Sequence, residues 1–437
     1  MNFYSGDSFN QIYFQMLSDA YYSNINLTPS RNGNVKDLGR SIYQIENDKF
    51  RLCFLKERRI NPFFAFAEFS WIISGSNKLE DLQYFISSYN EFSDDGLTLN
   101  GAYGYRLKKY FNNDQIEQAI NLLRQDQNTR RVVLTMYSPE DLFKSSKDIP
   151  CNTTIYLKIR NNKLDITILN RSNDLYLGVP YNVFVFYLLQ VYISYYVGCE
   201  IGVQTHYTDS LHLYETHIEK VKDIVINNSL EKIKSFEENI EIDDNSQYAL
   251  IDHSNVLNKN YELIKNSIYK NIFLLHKTIK FGNGNIDYDT IPKSLLGHVV
   301  SNWLNNKTTR MLEKEDRVMT NLQILETLKY KNVSEFIELL VMIKEDNINK
   351  FEEFKALVSI DNDSNSILNY NDSDKGKFIT IMLLVLVLES ISSNMYNRDL
   401  RDEMMNKIKE VCLILNISIN DIFYFSKYMN QISALIR

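Results

Sequence analysis

Hydrophobic positions in the first 220 residues alternate between the spacing of strands and the spacing of buried helices. The β-branched run Val132–Tyr137 predicts a short buried strand. Thr153–Ile159 and Leu164–Leu169 alternate around Asn161-Asn162-Lys163, which predicts a hairpin although its turn lacks glycine. Most of the Gly and Pro residues also lie in this part of the chain, as expected where strands and turns are frequent.

Longer apolar runs predict helices. In the first half of the chain the clearest are Ala65–Ile73 and Val183–Val197. The helix over Val183–Val197 is expected to be central and buried. From about residue 222 Asn, Asp, Lys and Glu become dense, and the acidic segment Ser235–Asn245 is interpreted as a surface loop or linker. Beyond it, apolar residues recur at helical spacing in Met311–Leu328, Val333–Ile343, Phe378–Ile391, Met404–Ile414 and Ile419–Ile432.

The pattern predicts an α+β fold with two parts. Residues 1–222 are expected to form a domain with a mixed sheet and a long buried helix, and residues 223–437 a mainly helical region of unknown role. Of the 437 residues, 44% are hydrophobic and 24% charged, which is typical of a packed globular protein. The net charge of -7 argues against a broad nucleic-acid-binding face, but not against a local anion pocket lined by arginines.

The cysteines and the apolar runs indicate which classes of protein can be excluded. Cys53, Cys151, Cys199 and Cys412 are far apart, and no His/Cys cluster has the spacing of metal ligands, so no metal is expected. The amino terminus lacks the pattern of a signal peptide, and the longest apolar stretch, Phe378–Leu388, is too short to span a bilayer. We therefore expect a cytoplasmic protein that binds neither membrane nor nucleic acid.

Cys151 is the first candidate for chemistry, because it follows Pro150 and precedes a predicted strand, where its thiol could project from the strand end. A lone cysteine is more often a small buried hydrophobe than a nucleophile. Arginines at other predicted element ends favour the nucleophile, since guanidinium groups suit a phosphate dianion. They are Arg31 in a Gly-containing loop, Arg130 and Arg131 before a strand, and Arg171 after another.

Four further residues allow both a structural and a functional interpretation. Glu68 is a carboxylate in an apolar helix, so it is paired, faces water, or is kept for proton transfer with a raised pKa. Asn182, at the head of the long helix, can cap that helix or pair with the edge of a base. His212 and Tyr214 alternate, so on a strand both would point to the same face.

Together these motifs resemble the thymidylate synthase and pyrimidine nucleotide hydroxymethylase family. The resemblance covers roughly residues 20–220, and its separate motifs occur in the family's order. They are Glu68-x-x-Trp71, Tyr89-x-x-Phe92, Asn100-Gly101-x-Tyr103-Gly104, Arg130-Arg131, Pro150-Cys151, Arg171-Ser172-x-Asp174-x-x-Leu177-Gly178-x-Pro180-x-Asn182, and His212-x-Tyr214 with His217.

The resemblance implies a role for each matching residue. The catalytic residues would be Cys151, Glu68, Asp174, Asn182 and Tyr103. The nucleotide would be bound by Arg31, Arg130, Arg131, Arg171, Ser172, His212 and Tyr214, with Arg130 and Arg131 reaching across a homodimer to the other subunit's phosphate. Folate would be contacted by Arg58, Tyr89, Phe92, Asp174 and Gly178.

The implied enzyme is a folate-dependent one-carbon transferase of nucleotide biosynthesis. Its substrates would be a pyrimidine nucleoside monophosphate and 5,10-methylenetetrahydrofolate. Asn182 favours uracil, because related cytosine-directed enzymes tend to carry aspartate there. The family usually has tryptophan at the positions of Tyr89 and Phe92, and histidine at that of Asn152; the aspartate before His212 is also displaced by one position.

These departures favour a hydroxymethyl product. The family's usual tail, which closes over folate and excludes water, is also not recognisable after Tyr214. A more polar pocket lets water reach the reaction intermediate. We therefore expect 5-hydroxymethyl-dUMP to be formed from dUMP. Alternatives are a thymidylate synthase, a CMP or dCMP hydroxymethylase, and a catalytically silent binding homologue.

Overall fold

The computed structural model describes residues 1–47, 49–244, 246–281, 291, 293–304, 406 and 409. Nearly all of them lie in one compact unit. The helices predicted over Met311–Leu328, Val333–Ile343, Phe378–Ile391 and Ile419–Ile432 lie outside the described residues, as does most of Met404–Ile414.

The described strands form one mixed sheet. In chain order they are β1 (Asn2–Gly6), β2 (Thr28–Ser30), β3 (Gly33–Ile45), β4 (Val132–Thr135), β5 (Asn152–Arg160), β6 (Lys163–Asn170), β7 (Asn173–Asp174) and β8 (Glu200–Tyr214). Across the sheet the order is β1-β3-β8-β6-β5-β4, with β2 paired to β3 and β7 to β8. The strand over Val132–Tyr137 is thus confirmed, ending two residues earlier than predicted.

The predicted hairpin is formed by β5 and β6, which pair antiparallel from Asn152 opposite Asn170 to Arg160 opposite Lys163. Its loop consists of Asn161 and Asn162, with φ angles of 52° and 60°. Two-residue hairpins need positive φ at both loop positions, and asparagine adopts it more readily than most residues. Two asparagines therefore make this turn without glycine.

The described helices are α1 (Phe9–Tyr22), α2 (Pro62–Ser74), α3 (Leu79–Gln83), α4 (Tyr103–Tyr105), α5 (Gln115–Gln125), α6 (Gly178–Val197), α7 (Ile218–Asn227), α8 (Leu230–Asn239), α9 (Ser246–Ala249), α10 (His253–Leu257) and α11 (Ser267–Phe281); residues 295–304 are also helical. The Asn61 side chain accepts from the Phe64 N–H and Pro62 occupies the first turn, which starts α2. Both predicted helices are confirmed, and α6 begins five residues earlier than expected. None of the described helices is long and apolar enough to cross a membrane.

One face of the sheet is covered and the other is open. Helices α1, α5 and α6 pack against its strands, and buried residues alternate with half-exposed ones along β8. On the open face, a row of directly opposed residues crosses five strands: Val133, Tyr156, Thr167, Thr205 and Gln44. Val133 is 52% exposed and Tyr156 43% exposed, so apolar surface faces solvent in the single chain.

The interpretation of Ser235–Asn245 as a loop was wrong for its first half, because α8 continues to Asn239. The acidic side chains lie mostly on the outer face of this helix, whereas Ile233 is buried and the Phe236 ring lies 4.5 Å from that of Phe54. Glu237 contacts Ser8 and Gln11 of the amino-terminal segment. Tertiary packing thus outweighs the local polar composition.

Candidate active site

Cys151 lies immediately before β5, and Arg171 lies immediately after β6, the strand paired with it. The Arg171 backbone N–H donates to the Cys151 carbonyl at 2.9 Å, which holds the two strand ends together. Arg171 Nη2 lies 3.4 Å from Cys151 Sγ, and Ser172 Oγ lies 3.8 Å from the same sulfur. The thiol is half-exposed. The structure therefore brings three of the predicted site residues into contact.

Main-chain carbonyls hold the Arg171 guanidinium in place. Its Nε and Nη2 donate to the Pro150 and Ile149 carbonyls at 3.0 and 2.9 Å, and its Nη1 donates to Ser172 Oγ at 3.3 Å. It makes no ion pair with any carboxylate in the described part of the chain. A positioned guanidinium without a counter-charge is suited to binding an anion.

The other arginines predicted to bind phosphate have no hydrogen bond to Cys151 in the described part of the chain. Arg31, exposed in the turn between β2 and β3, donates to the Ser146 and Lys147 carbonyls at 3.3 and 2.7 Å, on the segment leading to Cys151. Arg130 and Arg131 are exposed just before β4, at the edge of the sheet. Neither makes an ion pair within residues 1–304 as far as these are described.

Glu68, on α2, is the predicted carboxylate in an apolar helix. Its Oε1 accepts from the Tyr89 hydroxyl at 3.2 Å, and its Oε2 is buried with no partner among the described residues. Burial raises the pKa of Glu68 to about 7, and the hydrogen bond from Tyr89 only partly offsets this. At neutral pH such a carboxyl can both accept and release a proton.

Tyr103 interacts electrostatically with both Cys151 and Glu68. Its hydroxyl hydrogen-bonds the Asn152 backbone, and burial followed by the charge interaction with Cys151 raises its pKa. Next to it, the backbone of Gly104 lies so close to Ile72 of α2 that a Cβ at Gly104 would overlap the Ile72 main chain. Tyr103 and Glu68 are therefore fixed to the same part of α2.

Sequence reasoning missed Asp148, three residues before Cys151. Its carboxylate accepts from the Gly101 N–H at 2.7 Å, its carbonyl accepts from the Asn100 amide at 2.8 Å, and burial raises its pKa. Asp148 thus joins the segment that carries Tyr103 to the segment that carries Cys151. Its proximity to Cys151 in the sequence was the only available signal.

A chain of amides orients Asn182. The Asn182 Nδ2 donates to Asn173 Oδ1 at 3.1 Å, and the Asn173 Nδ2 donates to the Tyr43 hydroxyl at 3.0 Å. Asn182 lies within the first turns of α6, which begins at Gly178, so it does not cap that helix. Gly178 packs on the same network, because a Cβ there would lie 2.6 Å from Asn173 Oδ1.

Asp174 organises the entrance to α6, since its Oδ1 accepts from the Tyr176 and Leu177 N–H groups at 2.8 and 2.9 Å. On β8, both His212 and Tyr214 are half-exposed between buried neighbours, and their ring centroids lie 5.2 Å apart. The prediction that they share one face of a strand is confirmed.

The predicted folate contacts differ in accessibility. Phe92 is 43% exposed and its ring centroid lies 5.7 Å from that of Tyr89. Arg58 is buried, donates to the Tyr176 carbonyl at 2.6 Å, and lies over the Tyr176 ring. The structure thus places Arg58 in the packing around Tyr176, and a contact with folate stays a prediction. No group of His, Cys, Asp and Glu side chains in the described residues could hold a metal ion.

The mixed sheet holds a thiol and a guanidinium in contact at adjoining strand ends, and a helix of the same unit carries a buried carboxyl of raised pKa; these are groups suited to nucleophilic and proton-transfer chemistry. The family model described as thymidylate synthase matches residues 12–268, which is more than half of the chain. The chain therefore belongs to the thymidylate synthase family. The predicted family and the predicted α+β fold are confirmed, and the match extends beyond residue 220.

Three curated relatives are similar over part of their length. The chain is 34% identical over 224 residues to the deoxyuridylate hydroxymethyltransferase of Bacillus phage SP01, covering 48% of this chain and 58% of that one. It is 38% identical over 174 residues to the enzyme of the same name from Pseudomonas phage M6, covering 39% and 50%. The thymidylate synthase of Mycoplasma genitalium is 30% identical over 152 residues, covering 34% and 53%. The chain spans about half the length of the curated relatives it matches.

Proposed function

We propose that this protein transfers the one-carbon unit of 5,10-methylenetetrahydrofolate to carbon 5 of dUMP and produces 5-hydroxymethyl-dUMP. The contact between the Arg171 guanidinium and the Cys151 thiol, at 3.4 Å, is the observation that carries the proposal. Two relatives named deoxyuridylate hydroxymethyltransferase support this product over the methyl one.

The nucleotide phosphate binds to Arg31, Arg171 and Ser172 and to the partner subunit's Arg130 and Arg131. Arg171 supports this role because carbonyls rather than carboxylates hold it. His212 and Tyr214 bind the ribose, supported by their shared half-exposed face. Guanidinium groups bind phosphate through paired hydrogen bonds, which orients the nucleotide as well as binding it.

Asn182 reads the uracil edge. Because its Nδ2 already donates to Asn173, its Oδ1 and its remaining N–H are left for the base. Uracil offers N3–H as a donor and O4 as an acceptor, which match these two groups. Asn173 and Tyr43 maintain this orientation and so support the choice of uracil.

The reaction begins when the Cys151 thiolate adds to carbon 6 of the ring, which makes carbon 5 nucleophilic. 5,10-Methylenetetrahydrofolate supplies the methylene carbon to which carbon 5 bonds. Glu68, with its pKa near 7, transfers protons at the ring, and Tyr103 assists beside the thiol. After the carbon 5 proton is lost and tetrahydrofolate leaves, water adds to the exocyclic methylene group and the Cys151 thiolate departs.

Folate binds beside the ring, against Tyr89 and Phe92 and near Asp174 and Gly178. The exposed Phe92 ring and the adjacent Tyr89 ring offer an aromatic surface of the kind that flat heterocycles stack on. Arg58 completes this proposed site at the folate tail; its position beside Tyr176, two residues from Asp174, keeps it close to the same segment.

A homodimer completes the phosphate site. The open sheet face with exposed Val133 and Tyr156 supports an interface there, since such apolar surfaces commonly mark contacts between subunits. Arg130 and Arg131, exposed beside this face without ion pairs in the described residues, are free to reach a second subunit.

Mixing two inactive variants tests the shared site. In a heterodimer of Cys151→Ser with Arg130→Ala/Arg131→Ala, one site combines an intact thiol with intact arginines. After unfolding and refolding together, activity should return to about one quarter of wild type, because half of the dimers hold one good site in two. Arginines acting on their own subunit's phosphate would restore none.

Product analysis tests the reaction. Wild-type protein is incubated with dUMP and 5,10-methylenetetrahydrofolate, and the products are measured by mass spectrometry and by absorbance. A product that is one oxygen heavier than dTMP, formed without dihydrofolate, is expected. Formation of dTMP with dihydrofolate would instead identify a thymidylate synthase, the alternative that the Mycoplasma genitalium relative favours.

Two further assays address the remaining alternatives. Replacing dUMP by CMP or dCMP should abolish turnover, whereas a hydroxymethyl product from either would establish cytosine selectivity. Release of tritium from carbon-5-labelled dUMP is expected. Its absence with every labelled pyrimidine nucleotide would indicate a catalytically silent binding homologue.

A further inference from the structure

Asn152, the residue after Cys151, is fully buried and its side-chain amide is unsatisfied. Neither Oδ1 nor Nδ2 has a hydrogen-bond partner among the described residues. Leaving a buried polar atom without a hydrogen bond is destabilising, and the large majority of such atoms in native proteins are bonded to protein or to ordered water.

Asn170 lies directly opposite Asn152, as the first pair of the β5–β6 ladder. It is 3% exposed, its Nδ2 donates to the Tyr207 carbonyl at 2.9 Å, and its Oδ1 has no partner among the described residues. Residues directly opposed in an antiparallel pair have Cβ atoms about 4.5–5.5 Å apart on one face. Three unsatisfied amide atoms therefore belong to two buried side chains that lie opposite each other at the end of the strand pair.

The two amides adjoin the proposed nucleophile in the chain. Asn152 follows Cys151 and Asn170 precedes Arg171, and the two strand ends are joined by the Arg171 N–H to Cys151 carbonyl bond. The Asn152 backbone also hydrogen-bonds the Tyr103 hydroxyl. The amide pair is thus connected through the main chain to three groups of the proposed site.

The row of opposed residues continues across the sheet, but the side chains of its next two members have hydrogen-bond partners. Thr208 is opposite Asn170 and Ser41 is opposite Thr208, and both are fully buried. Their hydroxyls donate to the Ser210 and Gly39 carbonyls at 3.4 and 3.2 Å. Unsatisfied atoms in this row occur only at its Cys151 end.

A buried water typically makes about three hydrogen bonds to otherwise unsatisfied groups, and three atoms are unsatisfied here. We propose that Asn152 and Asn170 hold an ordered water molecule next to Cys151, and that this water adds to the exocyclic methylene group. This rests on the proposed function and makes Asn152 a residue that determines the product.

The water oxygen bonds to the exocyclic methylene carbon, and the electron pair of the exocyclic double bond moves into the ring toward carbon 4 and its oxygen. One proton of the water passes to the Glu68 carboxylate. When the bond from Cys151 sulfur to carbon 6 breaks, the pyrimidine double bond is restored and the thiolate is released.

The test compares Asn152→Leu with a matched control in the same buried row, Thr208→Val, whose hydroxyl already has a partner. Asn152→Leu and Asn170→Leu should each lower the ratio of hydroxymethyl to methyl product about tenfold or more, with tritium release from labelled dUMP largely retained. Thr208→Val should leave the product ratio unchanged. An unaltered ratio in both leucine variants would overturn the inference and leave the proposed function intact.

A crystal structure of the wild-type protein gives a second measurement that does not depend on the variants folding. Ordered water density within hydrogen-bond distance of Asn152 Oδ1, Asn152 Nδ2 and Asn170 Oδ1 is expected. Direct bonding of the two amides to each other would overturn the water site. If wild-type protein forms only dTMP, the proposed hydroxymethylation fails whatever the density shows, and the product-determining role fails with it.

Discussion

Arg106 and Arg171 are held in opposite ways. Arg106 is fully buried and pairs with both carboxylate oxygens of Asp141, at 2.7 and 2.8 Å. Arg171 is exposed and held by the carbonyls of Ile149 and Pro150. The first guanidinium is neutralised within the protein, whereas the second has no carboxylate partner among the described residues.

The carboxyl groups of Asp141 and Glu68 show the same contrast in their pKa values. Burial by itself would raise the pKa of Asp141, but hydrogen bonds from Arg106 and the Ser138 N–H hold that pKa below its usual value. Glu68 has the single hydrogen bond from Tyr89, and burial raises its pKa to about 7. Paired charges stabilise this fold, and incompletely paired ones lie where chemistry is proposed.

The largest effect is expected from Cys151→Ser, because the hydroxyl is a far weaker nucleophile than the thiolate. Tritium release from carbon-5-labelled dUMP should fall by about 10⁴-fold or more, with the thermal unfolding midpoint unchanged. Cys199→Ser, at the half-exposed cysteine after α6, is the matched control and should retain activity. Comparable activity in both variants would remove Cys151 from the mechanism.

Arg106→Met should destabilise the folded protein, because Arg106 is the structural arginine of the two. Asp141 would be left buried without its counter-charge, which costs about 3–5 kcal/mol of unfolding free energy in urea denaturation. The double variant Arg106→Met/Asp141→Leu should recover much of this loss. Arg171→Met should change stability by less than about 0.5 kcal/mol, because that side chain is exposed. Equal losses for Arg106→Met and Arg171→Met would contradict the distinction.

Glu68→Gln should lower kcat by about 10²–10³-fold, since the amide cannot transfer the proton. The variant also tests whether the pKa of this carboxyl is raised. Folded protein holds the Glu68 proton up to a pKa of about 7 and unfolded protein only up to about 4.5, so unfolding free energy falls as pH rises through this window. Urea denaturation across that range should give a flatter pH dependence for Glu68→Gln than for wild type, and an identical slope would mean that the pKa is not raised.

Arg171→Met should reduce kcat/KM for dUMP by about 10–100-fold, corresponding to the loss of charged hydrogen bonds to phosphate. The control is deoxyuridine, which lacks the phosphate and should be turned over equally poorly by wild type and variant. A similar loss with both substrates would place Arg171 in the chemical step rather than in phosphate binding.

Much of this arrangement could be predicted from local sequence. Strand alternation placed Cys151 and Arg171 at adjoining strand ends, and the apolar run around Glu68 marked its carboxylate as one that is paired, faces water or is kept for proton transfer. These features depend on period and spacing, which are properties of short segments. The roles assigned to the individual site residues remain predictions.

What was missed depends on contacts between distant segments. Asp148 gives no signal as a link to Gly101 until the two segments meet in the fold. Likewise, α8 is helical because Phe236 packs on Phe54, and composition suggested a loop. The unsatisfied amide of Asn152 becomes visible only when every possible partner can be checked in three dimensions.

The close approach of Gly104 to Ile72 has a mechanical consequence. Where two main chains are in direct contact, no side chain lies between them that could change its rotamer. The segment bearing the Tyr103 hydroxyl therefore cannot slide along α2. Any larger residue at Gly104 would wedge the two apart and carry the phenol away from Glu68 without altering either group. The position of the Tyr103 phenol relative to α2 is therefore determined by main-chain packing at a residue whose side chain is a single hydrogen.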